Sequence, residues 1–214
     1  MATKPPPTLA SALALALAEL ELELRPEARA QLLELAALVE AWGGRINLTG
    51  HQGLEGILRG LIVEGLALER VLPECDTLLD LGSGAGFPGL PIAIARAPRC
   101  AVTLLDSRQR RHHFQRAAIR TLALDSVTPL LGRAETLPPT PHGVVVAQAL
   151  AQPAAALTLM REWAEPGGWL ALAVSEPPEL GAEQRAGFSH TEVRHYRVPI
   201  SNRERVLFLA KPAS

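Results

Sequence analysis

Aromatic residues are scarce: four Phe, three Trp and one Tyr, 4 % of the chain. That scarcity argues against an all-β design, whose strands draw on aromatic and β-branched side chains. Cysteine is nearly absent. Cys75 and Cys100 form no CxxC pair and lack ligand spacing, which excludes a cysteine-rich zinc site or a disulfide scaffold. They read as two separate buried thiols. No excess of charge exists either; the formal net charge of -1 gives no overall attraction to nucleic acid, although a local basic surface could supply one. No apolar run reaches the roughly 20 residues needed to span a bilayer. The run Leu9–Ala18 is short, follows one Lys and three prolines, and continues into Glu19, Glu21 and Glu23. A secretory signal has the opposite charge pattern. The expectation is a soluble, cytoplasmic monomer with no membrane contact.

What remains is rich in Ala and Leu. Of 214 residues, 48 % are hydrophobic, enough for one α/β domain with a small appendage. Residues 1–7 are Pro-rich and read as a disordered tail. Helical patterning follows over 8–24, from Pro26 to about Trp42, and over 53–70, ended by Pro73. These segments predict an N-terminal helical cap over 8–72. From residue 73 to 214, strands alternate with helices: 77–81, 101–106, `SVTPLLG`, `GVVVAQ` and `WLALAV`. Two further strands, `TEVRHYRV` and `RVLFLAK`, have no helix between them and so must form an antiparallel edge pair. The prediction is a Rossmann-like α/β fold with a seven-stranded, mostly parallel sheet.

The first sheet strand runs into `LLDLGSGAGFPGLP`, residues 78–91. Gly84-x-Gly86-x-x-Gly89 is a literal dinucleotide fingerprint, but in a false register. That fingerprint needs its first glycine at the strand end and its third inside the helix. Gly82 ends this strand, and Phe87 then occupies the third place. Asp80 also precedes the glycines, and a carboxylate there suits a cationic, amine-bearing ligand better than a pyrophosphate. S-adenosylmethionine, with a sulfonium, an ammonium and no phosphate, fits that pattern. Asp106 ends the second strand, where it can accept from ribose hydroxyls. `GRAE`, 132–135, follows the third strand and can wrap an adenine with backbone amides and Glu135.

The sequence resembles the glucose-inhibited division B family, the bacterial 16S ribosomal RNA guanine-N7 methyltransferases. The matching pieces are `WGGRINLTG`, `LLDLGSGAGFPGLPIAIARAP`, `VTLLDSRQRRHHF`, `GRAE` and `RVLFLAKP`, within residues 30–211. `DLGSGAGFPG` is distinctive of that family. The resemblance implies a class I methyltransferase fold and methyl transfer from S-adenosylmethionine to N7 of a guanine in 16S ribosomal RNA or a small-subunit precursor. It implies that Asp80, Gly82, Ser83, Gly84, Gly86 and Phe87 hold the methionine end of the cofactor, that Asp106 and Ser107 sit by the ribose, and that Ala134 and Glu135 sit by the adenine. Asn47 would reach the mouth of the site from the cap. Guanine N7 has a lone pair and loses no proton on attack, so neither a general base nor a metal is expected; catalysis would be positioning.

The substrate side departs from the family pattern. The cap helix usually carries His-x-x-Asp-Ser-Leu; here Gly60 stands at the histidine place and Val63 and Glu64 at the Asp-Ser pair. Ala-Arg-Ala after the fourth strand is `AQA`, with Gln148, and a Lys-Gly pair after the fifth is replaced by Ser175 and Glu176. Gln148 reads either as a substrate contact or as a structural residue at the sheet end. A relative that binds the cofactor but has another substrate, or only a binding role, is the alternative function. Arg108, Arg110, Arg111, Arg116 and Arg120 share one helix with no acid among them. They read as an RNA contact, with Arg111 the candidate nearest the substrate, or as a solvated face paired with Glu. Arg45, Arg59 and Arg96 are candidates for a basic rim. His51 is a candidate for lining the mouth.

Overall fold

The computed structural model describes residues 8–44, 48–148 and 152–213. The expected tail over 1–7 lies outside them. Four segments make the cap: α1 (Leu9–Glu19), α2 (Pro26–Gly43), α3 (Gly53–Ile57) and α4 (Val63–Glu69). Thr8 caps α1 by accepting from the Ser11 N–H, and Pro26 supplies the preset φ that opens α2. Between α3 and α4 one π-helical turn spans Leu58–Ile62. Periodicity predicts a single helix there, because a π-turn inserts one residue without breaking the apolar stripe.

The sheet contains β1 (Thr77–Leu81), β2 (Ala101–Asp106), β3 (Val127–Leu131), β4 (His142–Gln148), β5 (Ala164–Val174), β6 (Phe188–Val198) and β7 (Arg203–Pro212). Their order is β3-β2-β1-β4-β5-β7-β6. β1 to β5 are parallel, and β7 is antiparallel to both of its neighbours. The Rossmann-like fold with seven strands is therefore as predicted. The fifth strand is longer than `WLALAV`: `EPGG` lies within β5 as an irregularity, across which the pairing jumps from His142–Ala164 to Val144–Trp169. A short helix, α8 (Ala182–Ala186), also precedes β6.

Alternate residues of each strand feed opposite faces. Leu78, Leu104, Val146, Ala173 and Leu207 pack toward the cap together with α5 (Gly89–Arg96) and α6 (Gln109–Thr121). Leu79, Leu105, Val145, Leu172 and Phe208 pack on the other face against α7 (Pro153–Glu162) and the buried Trp163. Trp42 of α2 meets Phe114 of α6 edge-on at 5.7 Å. The cap thus shares one continuous core with the sheet. By the same alternation Asp80, Asp106, Gln148 and Arg205 all belong to the cap-side rows of their strands.

Two readings of single residues change. Cys75 and Cys100 are not separate: their Sγ atoms lie 3.7 Å apart. Arg96 is no part of a basic rim. It is buried, pairs with Glu69 (Nε to Oε1, 3.3 Å) and donates to the Pro73 carbonyl.

Candidate active site

In this sheet the strand order reverses between β1 and β4, and the crevice at the carboxyl ends of the strands there is where open α/β sheets take their ligands. The glycine loop leaves β1 at that point. Gly82 and Ser83 donate their N–H groups to the Leu105 carbonyl at 2.9 Å each, which ties the loop to the end of β2. Gly82, Gly84 and Gly86 have φ of +76°, +59° and +88°, a region that L side chains rarely adopt. A Cβ on Gly86 would lie 2.6 Å from Leu90 Cδ1. All three glycines are thus required by backbone conformation, and Gly86 by close packing as well.

Beside the loop lies a cleft of about 440 Å³. Gly82, Asp106, Ser107, Arg111, Ala134 and Glu135 are among its walls. Four of the sequence-predicted cofactor residues beyond the glycine loop therefore converge on one space. Asp106 is the best connected. Its Oδ1 accepts from the Arg108 N–H at 2.8 Å, and its Oδ2 accepts from the Gly84 N–H at 3.0 Å and from Arg111 Nη1 at 3.3 Å. A carboxylate offers about four acceptor positions, so Asp106 retains capacity toward the cleft. The donor and acceptor set suits a nucleoside: an acidic acceptor on β2 for a ribose diol, small residues on the β3 loop against a flat base, and a glycine path with no side chain in the way.

Arg111, read from sequence as a substrate-side residue, lines this cleft and pairs with Asp106. Asp80 is displaced from the expected lining. It is 1 % exposed, beneath the loop, and its Oδ2 accepts from the Gly89 N–H at 2.7 Å, at the start of α5. Burial first of all, and the nearby Asp106 carboxylate next, push its pKa up to about 7, against the hydrogen bond from Gly89. Ser83 is likewise buried, and Phe87 is half-buried against the cap-side core. Asn47 and Arg45 lie outside the described residues.

Gln115 is the residue that sequence reading missed. Fully buried on α6, it donates from Nε2 to Ser83 Oγ at 2.9 Å and to the Gly84 carbonyl at 2.8 Å. The available signal was its place on the inward stripe with Phe114 and Ala118, where a polar side chain needs a partner.

A second cluster lies along the same carboxyl edge, on the opposite side of β1. Glu64 of α4 receives Arg205 Nε at 2.9 Å and, more distantly, Gln148 Nε2 at 3.4 Å, both on Oε1. The adjacent Gly65 packs on Pro91 and on the Pro88 carbonyl, so α4 abuts the end of the glycine loop. Glu64 and Gln148, two of the departures from the family pattern, are thus partners of each other. A third departure, Gly60, makes room for His51: a Cβ at position 60 would lie 2.1 Å from the His51 ring.

Along α6, Arg108, Arg110, Arg116 and Arg120 are exposed and have no ion-pair partner among the described residues. Arg59, by contrast, pairs with Glu55. No helix among the described residues is long and apolar enough to cross a membrane.

A family model described as rRNA small subunit methyltransferase G matches residues 28–208. The chain is 36 % identical over 187 residues to the ribosomal RNA small subunit methyltransferase G of Myxococcus xanthus, covering 82 % of this chain and 84 % of that one. It is 34 % identical to the Chromohalobacter salexigens protein of the same name, covering 87 % and 89 %. Among solved structures, M. jannaschii TYW2 in complex with AdoMet superposes with TM-score 0.56 at 18 % identity, covering 72 % of this chain and 77 % of that one. A SAM-dependent methyltransferase from Aquifex aeolicus gives 0.51 at 21 % identity, covering 72 % and 91 %. At these identities the likeness is one of fold.

Proposed function

Since the chain belongs to the rRNA small subunit methyltransferase G family, we propose that it methylates N7 of a guanine in 16S ribosomal RNA with S-adenosylmethionine as methyl donor. The observation that carries this reading is the cleft itself, with the glycine path of β1, the Asp106 carboxylate on β2 and the Ala134–Glu135 segment after β3 on one space. When bound, the cofactor supplies an electrophilic methyl group on a sulfonium.

The chain's own contribution is positional. Gly82 and Gly84 leave the approach to the loop open, Asp106 accepts from the ribose hydroxyls, and the residues around Glu135 bracket the base. Gln115 and Asp80 hold the loop from beneath. No residue has to remove a proton, because N7 attacks with a lone pair and has none to lose. Alignment of N7 about 3 Å from the methyl carbon then accounts for most of the rate. The purine becomes cationic as the bond forms, and the acidic Glu64 on the far side of β1 is of the sign that favours this. The exposed arginines of α6 suit RNA phosphates. The proposed setting is the cytoplasm, where ribosomal subunits are assembled.

The test is incubation of the purified protein and labelled S-adenosylmethionine with small ribosomal subunits, and separately with naked 16S RNA, both lacking 7-methylguanosine. Label in a single 7-methylguanosine is the expected result. Tight cofactor binding with no label in either RNA would favour a relative with another substrate.

A further inference from the structure

Glu64 is tied to residues far from it in sequence, and the ties leave half of its carboxylate unused. Arg205 Nε and Gln148 Nε2 both address Oε1. Among the described residues Oε2 has no hydrogen-bond partner. The Glu64 side chain is 13 % exposed and that of Arg205 27 %. A mostly buried carboxylate fixed by a guanidinium through one oxygen, with no partner on the other among the described residues, is a preorganised acceptor.

Its position follows from the sheet. The nucleoside cleft occupies the carboxyl ends of β1, β2 and β3, so a second ligand has the ends of β4, β5 and β7. Gln148 ends β4. Val174, the last residue of β5, pairs with Val206, so Arg205 lies at that same edge. Glu64 closes the group from the cap, one residue from the Gly65 contact with the glycine loop.

We propose that Glu64 reads the target guanine, with Oε2 accepting from its N1–H and 2-amino group while Arg205 and Gln148 hold the carboxylate in place; this rests on the methylation reading above. Those donors lie on the edge of guanine remote from N7, so the base is held from behind while N7 faces the methyl donor. Adenine presents no N–H at N1 and no 2-amino group, and meets an unpaired carboxylate instead. The contact also assists the reaction. Positive charge gained at N7 makes N1–H a stronger donor, so its bond to the carboxylate tightens as the methyl group transfers. Interactions that strengthen in this way raise kcat as well as kcat/KM. Arg205 acts through Glu64 and is a positioning residue.

The experiment compares 16S RNA carrying guanine or inosine at the methylated nucleotide, inosine lacking only the 2-amino group. Wild type, Glu64→Gln and Glu64→Ala are assayed, with cofactor Kd and Tm measured for each. Wild type is expected to prefer guanine by about tenfold in kcat/KM. Both variants are expected to lose that preference and about tenfold or more in kcat on guanine, with cofactor Kd within twofold; Glu64→Gln, which keeps a side-chain oxygen for Arg205 Nε, is expected to stay near the wild-type Tm, so that its loss of preference is read apart from any loss of stability in Glu64→Ala. A guanine-to-inosine ratio that is the same in the variants as in wild type overturns the proposal and leaves the methylation reading standing. So does a loss of activity in the variants that is matched by lost cofactor binding. A wild type that methylates neither RNA overturns both.

Discussion

Gln115 holds Ser83 and Gly84 together: one side-chain amide donates to the hydroxyl of the first and the carbonyl of the second. These consecutive residues lie in the glycine loop, and Gln115 reaches them from α6, the helix that begins just after Asp106. The glycine loop and Asp106, the proposed ribose acceptor, are therefore braced by one element. Gln115→Ala removes both bonds and leaves buried acceptors unsatisfied, a loss of about 1–3 kcal/mol. Titration calorimetry is expected to show S-adenosylmethionine affinity about tenfold weaker. Gln115→Leu restores volume without the bonds and is expected to be no better. Wild-type affinity in both variants would mean that the loop keeps its shape unaided.

Asp80 gives a pH dependence of known sign. Its folded pKa is raised to about 7, chiefly by burial, while an unfolded Asp titrates near 4. Between about pH 4 and pH 7 the folded protein therefore holds a proton that the unfolded chain releases. Stability from this group falls as pH rises across that window and levels off above it. Asp80→Asn has no such titration and keeps an oxygen for the Gly89 N–H. Denaturant melts of the cofactor-free protein are expected to show the variant gaining on wild type from pH 5 to pH 8. A constant difference would place the Asp80 pKa outside that range.

The buried Arg96–Glu69 pair fastens the end of α5 to the end of α4. Removing one partner strands the other charge, and Glu69→Ala is expected to cost about 3 kcal/mol. For a chain of this size that corresponds to a fall in Tm of roughly 6–12 °C. Glu69→Ala combined with Arg96→Met is expected to recover part of the loss. A Tm within 2 °C of wild type for the single variant would show the pair to be dispensable.

Much of this was legible in the sequence, and the rest was hidden for identifiable reasons. The strands announced themselves as short apolar runs. Gly82, Gly84 and Gly86 gave the loop because only glycine suits those φ values. Asp80 was misread as a lining residue, since strand parity says which face a side chain takes but not what covers it. The pairing of Arg111 with Asp106 was not legible because their distance depends on where α6 begins. Glu64 and Arg205 are 141 residues apart, joined only when an antiparallel edge strand returns to the cap, and no local pattern encodes that meeting.

The exposed arginines of α6 give a prediction for RNA. Arg110, Arg116 and Arg120 lie outside the nucleoside cleft. Replacing all three by Ala is expected to lower the slope of log affinity against log salt by about two units for RNA contacts. Cofactor Kd is expected to stay unchanged. An unaltered salt slope in filter binding would mean that RNA approaches from another face.

The central claim is tested most directly in the cell of origin. Deletion of the gene is expected to remove a single 7-methylguanosine from 16S RNA, read by mass spectrometry of nuclease fragments, and the intact gene is expected to restore it. An unchanged 7-methylguanosine content after deletion would contradict the account.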